Sequence, residues 1–319
     1  MAYKFEESFD LYIGHCKYEK NLSPLTLKAY QIDLKQFFFF ATDIRETQQV
    51  NREFIRRYLR YLFEKQLKVT SIRRKMICLK SFFHFLECED YLEMSPFRKL
   101  NLAIRIPQNI PEVMNMTDIR LLISLPKIEL EKFHKCAFQE IDFPKITKRR
   151  DIYALQNVII LEILFATGMR VNELSKLNVE DIDIIRKVIK VNGKGFKQRI
   201  LPIPNADVAT ILASFVTLRK QLSPTEEWLL FNRLHRRMST QSIRNIVRKY
   251  VERSQLHKRV TPHTFRHTTA TMLLENGTDI RYVQSLLGHN SITTTQLYTH
   301  VAEIAQRRII TLNHPRNLF

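Results

Sequence analysis

Apolar residues recur with helical spacing through the first hundred positions. Phe5, Phe9, Tyr12 and Ile13 make one stripe, and NLSPLTLKAYQIDLKQFFFF follows with Ser23 placed as an N-cap and Pro24 in the first turn. Leu27, Tyr30, Leu34, Phe37 and Phe38 form the inward face of that second helix. In REFIRRYLRYLFEKQ, Phe54, Ile55, Tyr58, Leu59 and Leu62 face inward while Arg56, Arg57 and Arg60 face out. A fourth helix, TSIRRKMICLKSFFHFLECEDY, turns Ile72, Met76, Leu79 and Phe83 inward and sets Arg73, Arg74, Lys75 and Lys80 on its other face.

The pattern breaks in SPFRKLNLAIRIPQNIPEVM, where Pro107 and Pro111 mark an extended connection. This places a helical domain over 1–105, a linker over 106–114 and a second domain over 115–319. MNMTDIRLLISL restarts a helix with Thr117 as its expected N-cap, whereas the mixed charge from about 127 to 150 has no clean period and reads as a partly helical insertion or a surface excursion. DIYALQNVIILEILFAT is apolar on every face, so a buried helix over 151–167 is predicted, ended by Gly168. DIDIIRKVIKVNGKGFKQRILPIP is the clearest β segment, two strands meeting at a Gly193-Lys194-Gly195 tip. STQSIRNIVRKYVERSQL is an amphipathic helix with a basic face, and TPHTFRHTTATMLLENG opens another at Pro262. SLLGHNS reads as a helix stopped by Gly288, with Ser291 capping the one that carries Tyr298. The tail, VAEIAQRRIITLNHPRNLF, has Ile304, Ile309, Ile310 and Leu312 available to pack in cis or on a neighbour. The fold class is mainly α with one small antiparallel sheet.

Composition adds a partner. The 319 residues hold 51 Lys and Arg against 32 Asp and Glu, a formal charge of +19, which predicts a polyanion. With 45% hydrophobic residues the chain buries ordinary cores. No apolar run reaches membrane-spanning length and MAYKFEES lacks a signal-peptide core, so a cytoplasmic, nucleoid-associated protein without membrane contact is expected. Cys16, Cys78, Cys88 and Cys136 are scattered and fit packing better than a metal knuckle or disulfide framework. The outward cations Arg56, Arg57, Arg73, Arg74 and Lys80 are candidates for phosphate-backbone contacts, although any one of them is equally explained as a solvated face.

Candidate chemistry gathers near the end. His263 and Arg266, three apart in TPHTFRH, share one helix face, so an imidazole and a guanidinium converge on one point suited to phosphate. His263 and His267 also have the spacing of a helical zinc pair, but the hydrolytic form of that motif requires Glu after the first His, and Thr264 stands there. Arg170 sits in the turn after the buried helix, with Glu173 near enough to orient it. Taken alone, Arg170 is better explained as a helix-terminal arginine satisfying carbonyls, and Lys194 as a solvent-exposed hairpin tip.

It is the order ATGMRVNEL, VNGKGFKQRILPIP, TPHTFRHTTATMLLENG, SLLGHNS and TTTQLYTHV that changes this reading. The series resembles the tyrosine recombinase family of phage-integrase-type site-specific recombinases, closest to its Xer and integron-integrase branch, densely over about 151–301 and more weakly over 1–105. The final NHPR is similar to the Xer tail. The resemblance implies a SAM-like helical core-binding domain and an α+β catalytic domain of the DNA breaking-rejoining type, forming a C-shaped clamp on DNA. It assigns Arg170, Lys194, His263, Arg266 and His289 as catalytic and Tyr298 as the nucleophile, and Glu173 keeps the supporting place its position beside Arg170 gives it. It further implies double-stranded DNA as substrate, a 3′-phosphotyrosine intermediate, no ATP, metal or other cofactor, and a homotetramer on two duplexes or a heteromeric pair of recombinases. The first helix begins almost at Met1, so a separate arm-binding domain of the lambda type is expected to be absent. Two departures stand out: Phe265 where leucine is usual before the second arginine, and the length of the 127–150 stretch.

Dimer resolution and integration or excision of a mobile element fit the resemblance equally. A type IB topoisomerase shares the tyrosine chemistry, but the compact motif spacing argues against it. A catalytically silent DNA-binding regulator has no use for Tyr298 together with two arginines, Lys194 and two histidines.

Overall fold

The computed structural model describes residues 5–44, 46–102, 104, 112–193, 198–222, 225–288, 307 and 310–318. Lys194, His289, Ser291, Tyr298, Ile304, Ile309 and the two linker prolines lie outside them. The chain divides into two compact units, Met1–Asn109 and Ile110–Phe319.

The first unit holds four helices, α1 (Phe5–Tyr18), α2 (Pro24–Phe40), α3 (Arg52–Glu64) and α4 (Val69–Cys88). Ser23 caps α2 by accepting from the Thr26 N–H at 3.2 Å, and Asn51 caps α3 by accepting from the Phe54 N–H at 2.9 Å. Each such cap stabilises its helix by about 1 kcal/mol. The core is aromatic: the Phe37 ring meets Tyr58 edge-on at 5.0 Å and Phe83 at 6.0 Å. Arg56, Arg57, Arg73, Arg74 and Lys80 are exposed, and Arg57 lies over the Phe54 ring at 4.6 Å.

Lys75 does not join that exposed face. It is buried, donating to Asp33 Oδ1 at 2.8 Å and to Gln36, while Arg74 reaches across to the same Asp33 carboxylate. Asp33 is itself buried, and a carboxylate withdrawn from water demands paired cations, which draws Lys75 inward against its expected direction.

The second unit is built on α5 (Met116–His134), α6 (Arg149–Thr167), α7 (Val171–Lys176), α8 (Ala206–Leu222), α9 (Thr240–Ser254), α10 (Pro262–Glu275) and α11 (Ile280–Leu287). Strands β1 (Ile182–Asp183), β2 (Val188–Asn192) and β3 (Gln198–Pro202) form one antiparallel sheet in sequence order, with Ile189 opposite Leu201 and Val191 opposite Arg199. Helix α6 is buried along its length, as its continuous apolar run requires.

Two expectations are corrected here. The cap of α5 is Asn115 and not Thr117: Asn115 accepts from the Asp118 N–H at 2.7 Å while Asp118 accepts from the Asn115 N–H at 3.2 Å, a reciprocal box that Thr117 lacks a partner to make. The 127–150 stretch is partly helical, as one of its two readings has it, and not a surface excursion, as the other does. Helix α5 continues to His134, and two 3-10 turns follow at Phe138–Glu140 and Phe143–Lys145. Phe138, Ile141, Phe143 and Ile146 are all buried in the core. A 3-10 turn stacks residues three apart on one side, so the pairs 138/141 and 143/146 reach inward without any 3.6-residue period.

The described part of the tail packs in cis. Ile310, His314 and Arg316 are buried, and Arg316 forks onto Glu162 of α6 at 2.9 and 3.1 Å, where Lys127 also reaches Glu162 at 2.6 Å. Leu312 points out, 69% exposed.

Candidate functional site

Helix α6 ends at Gly168, whose φ of 60° is left-handed and turns the chain sharply into Arg170, the N-cap of α7. Glu173, in the first turn of α7, accepts from the Arg170 backbone N–H at 2.8 Å and from Arg170 Nη1 at 3.1 Å. Glu173 thus touches Arg170 through both its backbone and its side chain. Arg266 projects from the second turn of α10 and is only 5% exposed; it donates through Nη1 to Gly168 O at 3.0 Å and through Nη2 to Leu287 O. Phe265, the unusual neighbour, is fully buried in the same core.

A third arginine completes the cluster. Arg199 of β3 forks onto Glu173, Nη1 to Oε1 at 2.9 Å and Nη2 to Oε2 at 2.7 Å, and donates through Nε to Leu286 O at 2.9 Å. Three consecutive carbonyls at the end of α11 are therefore taken by three arginines: Leu286 by Arg199, Leu287 by Arg266, and Gly288 by Arg170 at 3.1 Å. The last carbonyls of an α-helix have no intrahelical partner and carry the negative end of its dipole, so they are natural receivers for guanidinium groups. Gly288 closes α11 with a φ of 63°, one residue before His289.

Sequence reasoning passed over Arg199, because in KQRILPIP it looks like any solvated strand cation. The available signal was charge balance: a glutamate in a buried turn between two core helices needs more than one exposed arginine.

The electrostatics follow from this crowding. Burial pushes the Glu173 carboxyl up, but hydrogen bonds from Arg199 and Arg170 outweigh it and hold the group below its usual range. Burial, then the neighbouring Arg170 and Arg199 charges, bring Arg266 down to about 10, so it stays cationic at neutral pH. His263, one turn before Arg266, has an exposed face, yet desolvation of its inner side and the nearby His267, Arg266, Arg244 and Arg170 lower its pKa and favour the neutral ring. Arg170 keeps 38% of its side chain open beside Arg266. Three guanidiniums against one carboxylate leave an excess of positive charge, suited to an oxyanion such as a phosphodiester.

Of the residues singled out from sequence, the structure thus gathers Arg170, Glu173 and Arg266, with His263 alongside on α10. Lys194 follows the end of β2 and His289 follows α11, both outside the described residues, as is Tyr298. Among the described residues no group of three or more metal-ligating side chains gathers, and no helix is long and apolar enough to cross a membrane.

Residues 140–304 match the phage integrase family, and residues 9–90 match the phage integrase N-terminal SAM-like domain. The chain is 35% identical over 308 residues to a tyrosine recombinase of Agathobacter rectalis, covering 97% of this chain and 96% of the relative. It is 34% identical over 315 residues to the tyrosine recombinase XerD of Staphylococcus aureus, covering 98% and 99%. Its fold is similar to that of a lambda integrase tetramer bound to a Holliday junction, with a TM-score of 0.65 at 14% identity over 92% of this chain and 80% of that one.

Proposed function

This chain belongs to the phage integrase family of tyrosine recombinases, and on that premise we propose that it breaks and rejoins DNA at a specific site through a covalent phosphotyrosine. The observation that carries the reading is the seating of Arg170 and Arg266 side by side on the carbonyls of Gly288 and Leu287. Fixed guanidiniums stabilise charge as it develops without reorganising at the moment of reaction.

In this mechanism the Tyr298 hydroxyl attacks a scissile phosphodiester, forming a 3′-phosphotyrosine and expelling a 5′-hydroxyl. Arg170 and Arg266 hold the non-bridging oxygens. His263, neutral at the working pH, and His289 hydrogen-bond the phosphate and move protons, and Lys194 protonates the departing 5′ oxygen. The phosphotyrosine stores the energy of the broken bond, so resealing by the 5′-hydroxyl of a partner duplex needs no ATP. The arginines and Lys194 supply the positive charge that a metal supplies elsewhere.

Exchange between two duplexes requires four tyrosines, so the acting species is a tetramer, of this chain alone or of this chain with a second recombinase, with double-stranded DNA as its partner. The exposed cations of α3 and α4, Arg56, Arg57, Arg73, Arg74 and Lys80, hold the phosphate backbone outside the scissile site. Dimer resolution and element movement share this chemistry.

The test is covalent trapping. The protein and its Tyr298→Phe variant are incubated with nicked duplex fragments tiled across the DNA flanking the gene, and protein-DNA adducts are resolved on a denaturing gel. A 3′-linked adduct absent from the variant is expected; an adduct that survives in Tyr298→Phe would remove Tyr298 as nucleophile.

A further inference from the structure

We propose that Arg199 is a positioning residue for DNA cleavage, a forked brace that fixes Glu173 and the end of α11 so that Arg170 and Arg266 face the phosphate. The proposal rests on the reading of the cluster as the cleavage site.

Arg199 makes every bond inward. Its side chain is 15% exposed, each terminal nitrogen donates one N–H to an oxygen of Glu173, and Nε donates to Leu286 O. Its guanidinium is turned into the protein and largely covered, whereas Arg170 keeps 38% of its side chain open. Its effect passes through two partners. At Glu173 it supplies the bidentate half of the carboxylate's coordination, which leaves Arg170 a single 3.1 Å side-chain bond to Glu173 and an open remainder. Without Arg199 the full carboxylate charge would draw Arg170 into a fork of its own and turn it away from the phosphate. At Leu286 it secures the first of the three carbonyls, so the turn that receives Arg266 and Arg170 is held from β3 as well.

The guanidinium also packs beside Gly288, its Nη1 lying 3.4 Å from where a Cβ there would stand. Arg199 therefore packs against the left-handed Gly288, one residue before His289 in sequence. Because Arg199 stands on the strand that leaves the hairpin tip, the same brace ties the strand pair bearing Lys194 to the arginine cluster. Lysine cannot replace it, since a single ammonium cannot bridge two carboxylate oxygens and a carbonyl on another element.

The experiment measures single-turnover adduct formation and DNA affinity on the trapped nicked fragments for wild type, Arg199→Ala, Arg199→Lys, Glu173→Gln and the double variant Glu173→Gln/Arg199→Ala. Thermal melting checks that each is folded, and Arg199→Lys carries the test if the alanine variant is not. Both Arg199 variants are expected to lose about 10- to 100-fold in adduct rate with less than about a threefold change in affinity. The double variant is expected to be no slower than the slower single variant, because the two residues act as one unit. A full rate in either Arg199 variant, losses that multiply in the double variant, or affinity falling in step with rate would each overturn the brace. Absence of any Tyr298-dependent adduct from wild type overturns the reading of the site and the brace with it, and so is told apart from a wild-type adduct that Arg199 variants leave untouched.

Discussion

Arg170 donates through Nη2 to the carbonyl oxygen of Gly288 at 3.1 Å, joining the turn after α6 to the residue that closes α11. An arginine that looked like an ordinary helix-end residue is in fact a helix-end residue of a different helix. The bond to Gly288 O fixes the guanidinium plane and leaves part of the group open, so satisfying a carbonyl does not prevent it from receiving a phosphate.

Arg170→Ala and Arg266→Ala should both cut adduct formation by about 10²- to 10³-fold, the usual loss of one fixed donor. They should differ in stability. Arg266→Ala strands the buried Gly168 and Leu287 carbonyls and should cost about 1–3 kcal/mol for each, whereas the half-open Arg170 should cost less. Urea unfolding alongside single-turnover cleavage separates the two effects.

Gly168→Ala should destabilise more than Gly288→Ala. Both have left-handed φ, near 60°, which costs an alanine about 1 kcal/mol. A Cβ on Gly168 would also lie 3.1 Å from Leu287 Cδ2, while one on Gly288 would meet Arg199 at an ordinary 3.4 Å. Melting temperatures of the two variants decide the order.

His314 should make stability fall with acid. Its Nδ1 accepts from the Arg316 N–H at 2.9 Å, and burial, only partly offset by backbone hydrogen bonds, brings its pKa down to about 3 from an ordinary 6.5. Between those values the unfolded chain binds a proton that the folded chain refuses, so stability is fully present above 6.5 and is lost progressively as pH falls toward 3. In His314→Gln that contribution to the pH slope should vanish, read by urea unfolding at a series of pH values.

Arg316→Ala should be costly because Glu162 is fully buried and would keep only Lys127. Breaking such a pair from one side costs about 3 kcal/mol or more. Arg316→Ala/Glu162→Gln should recover part of the loss, since the uncompensated charge is gone; a double variant no better than the single would disprove this account.

Cleavage should proceed at full rate in excess chelator, and DNA affinity should fall steeply with salt as bound phosphates recapture their counterions. Strict magnesium dependence of adduct formation would contradict the mechanism proposed from Arg170, Arg266 and Lys194.

Much of this was legible in the sequence where one force dominates. The apolar run of α6, the Ser23 cap and the stops at Gly168 and Gly288 each follow from local chemistry and stand where expected. What was hidden depends on partners distant in the chain. Lys75 is buried because Asp33 is buried, and Arg199 belongs to the site because Glu173, 26 residues earlier, lacks another full partner. Phe138, Ile141, Phe143 and Ile146 escaped notice because 3-10 spacing matches neither the helical nor the strand period.

The α11 terminus has one more implication, for which changes of length the chain tolerates. Successive carbonyls on a helix are turned by about 100° and shifted by about 1.5 Å, and the left-handed Gly288 turns the third carbonyl again, so each of the three faces a different element. Adding or deleting one residue within Ile280–Leu287 would rotate all three acceptors away from all three arginines together. The three acceptors are backbone groups, so their placement depends on the residue count of α11.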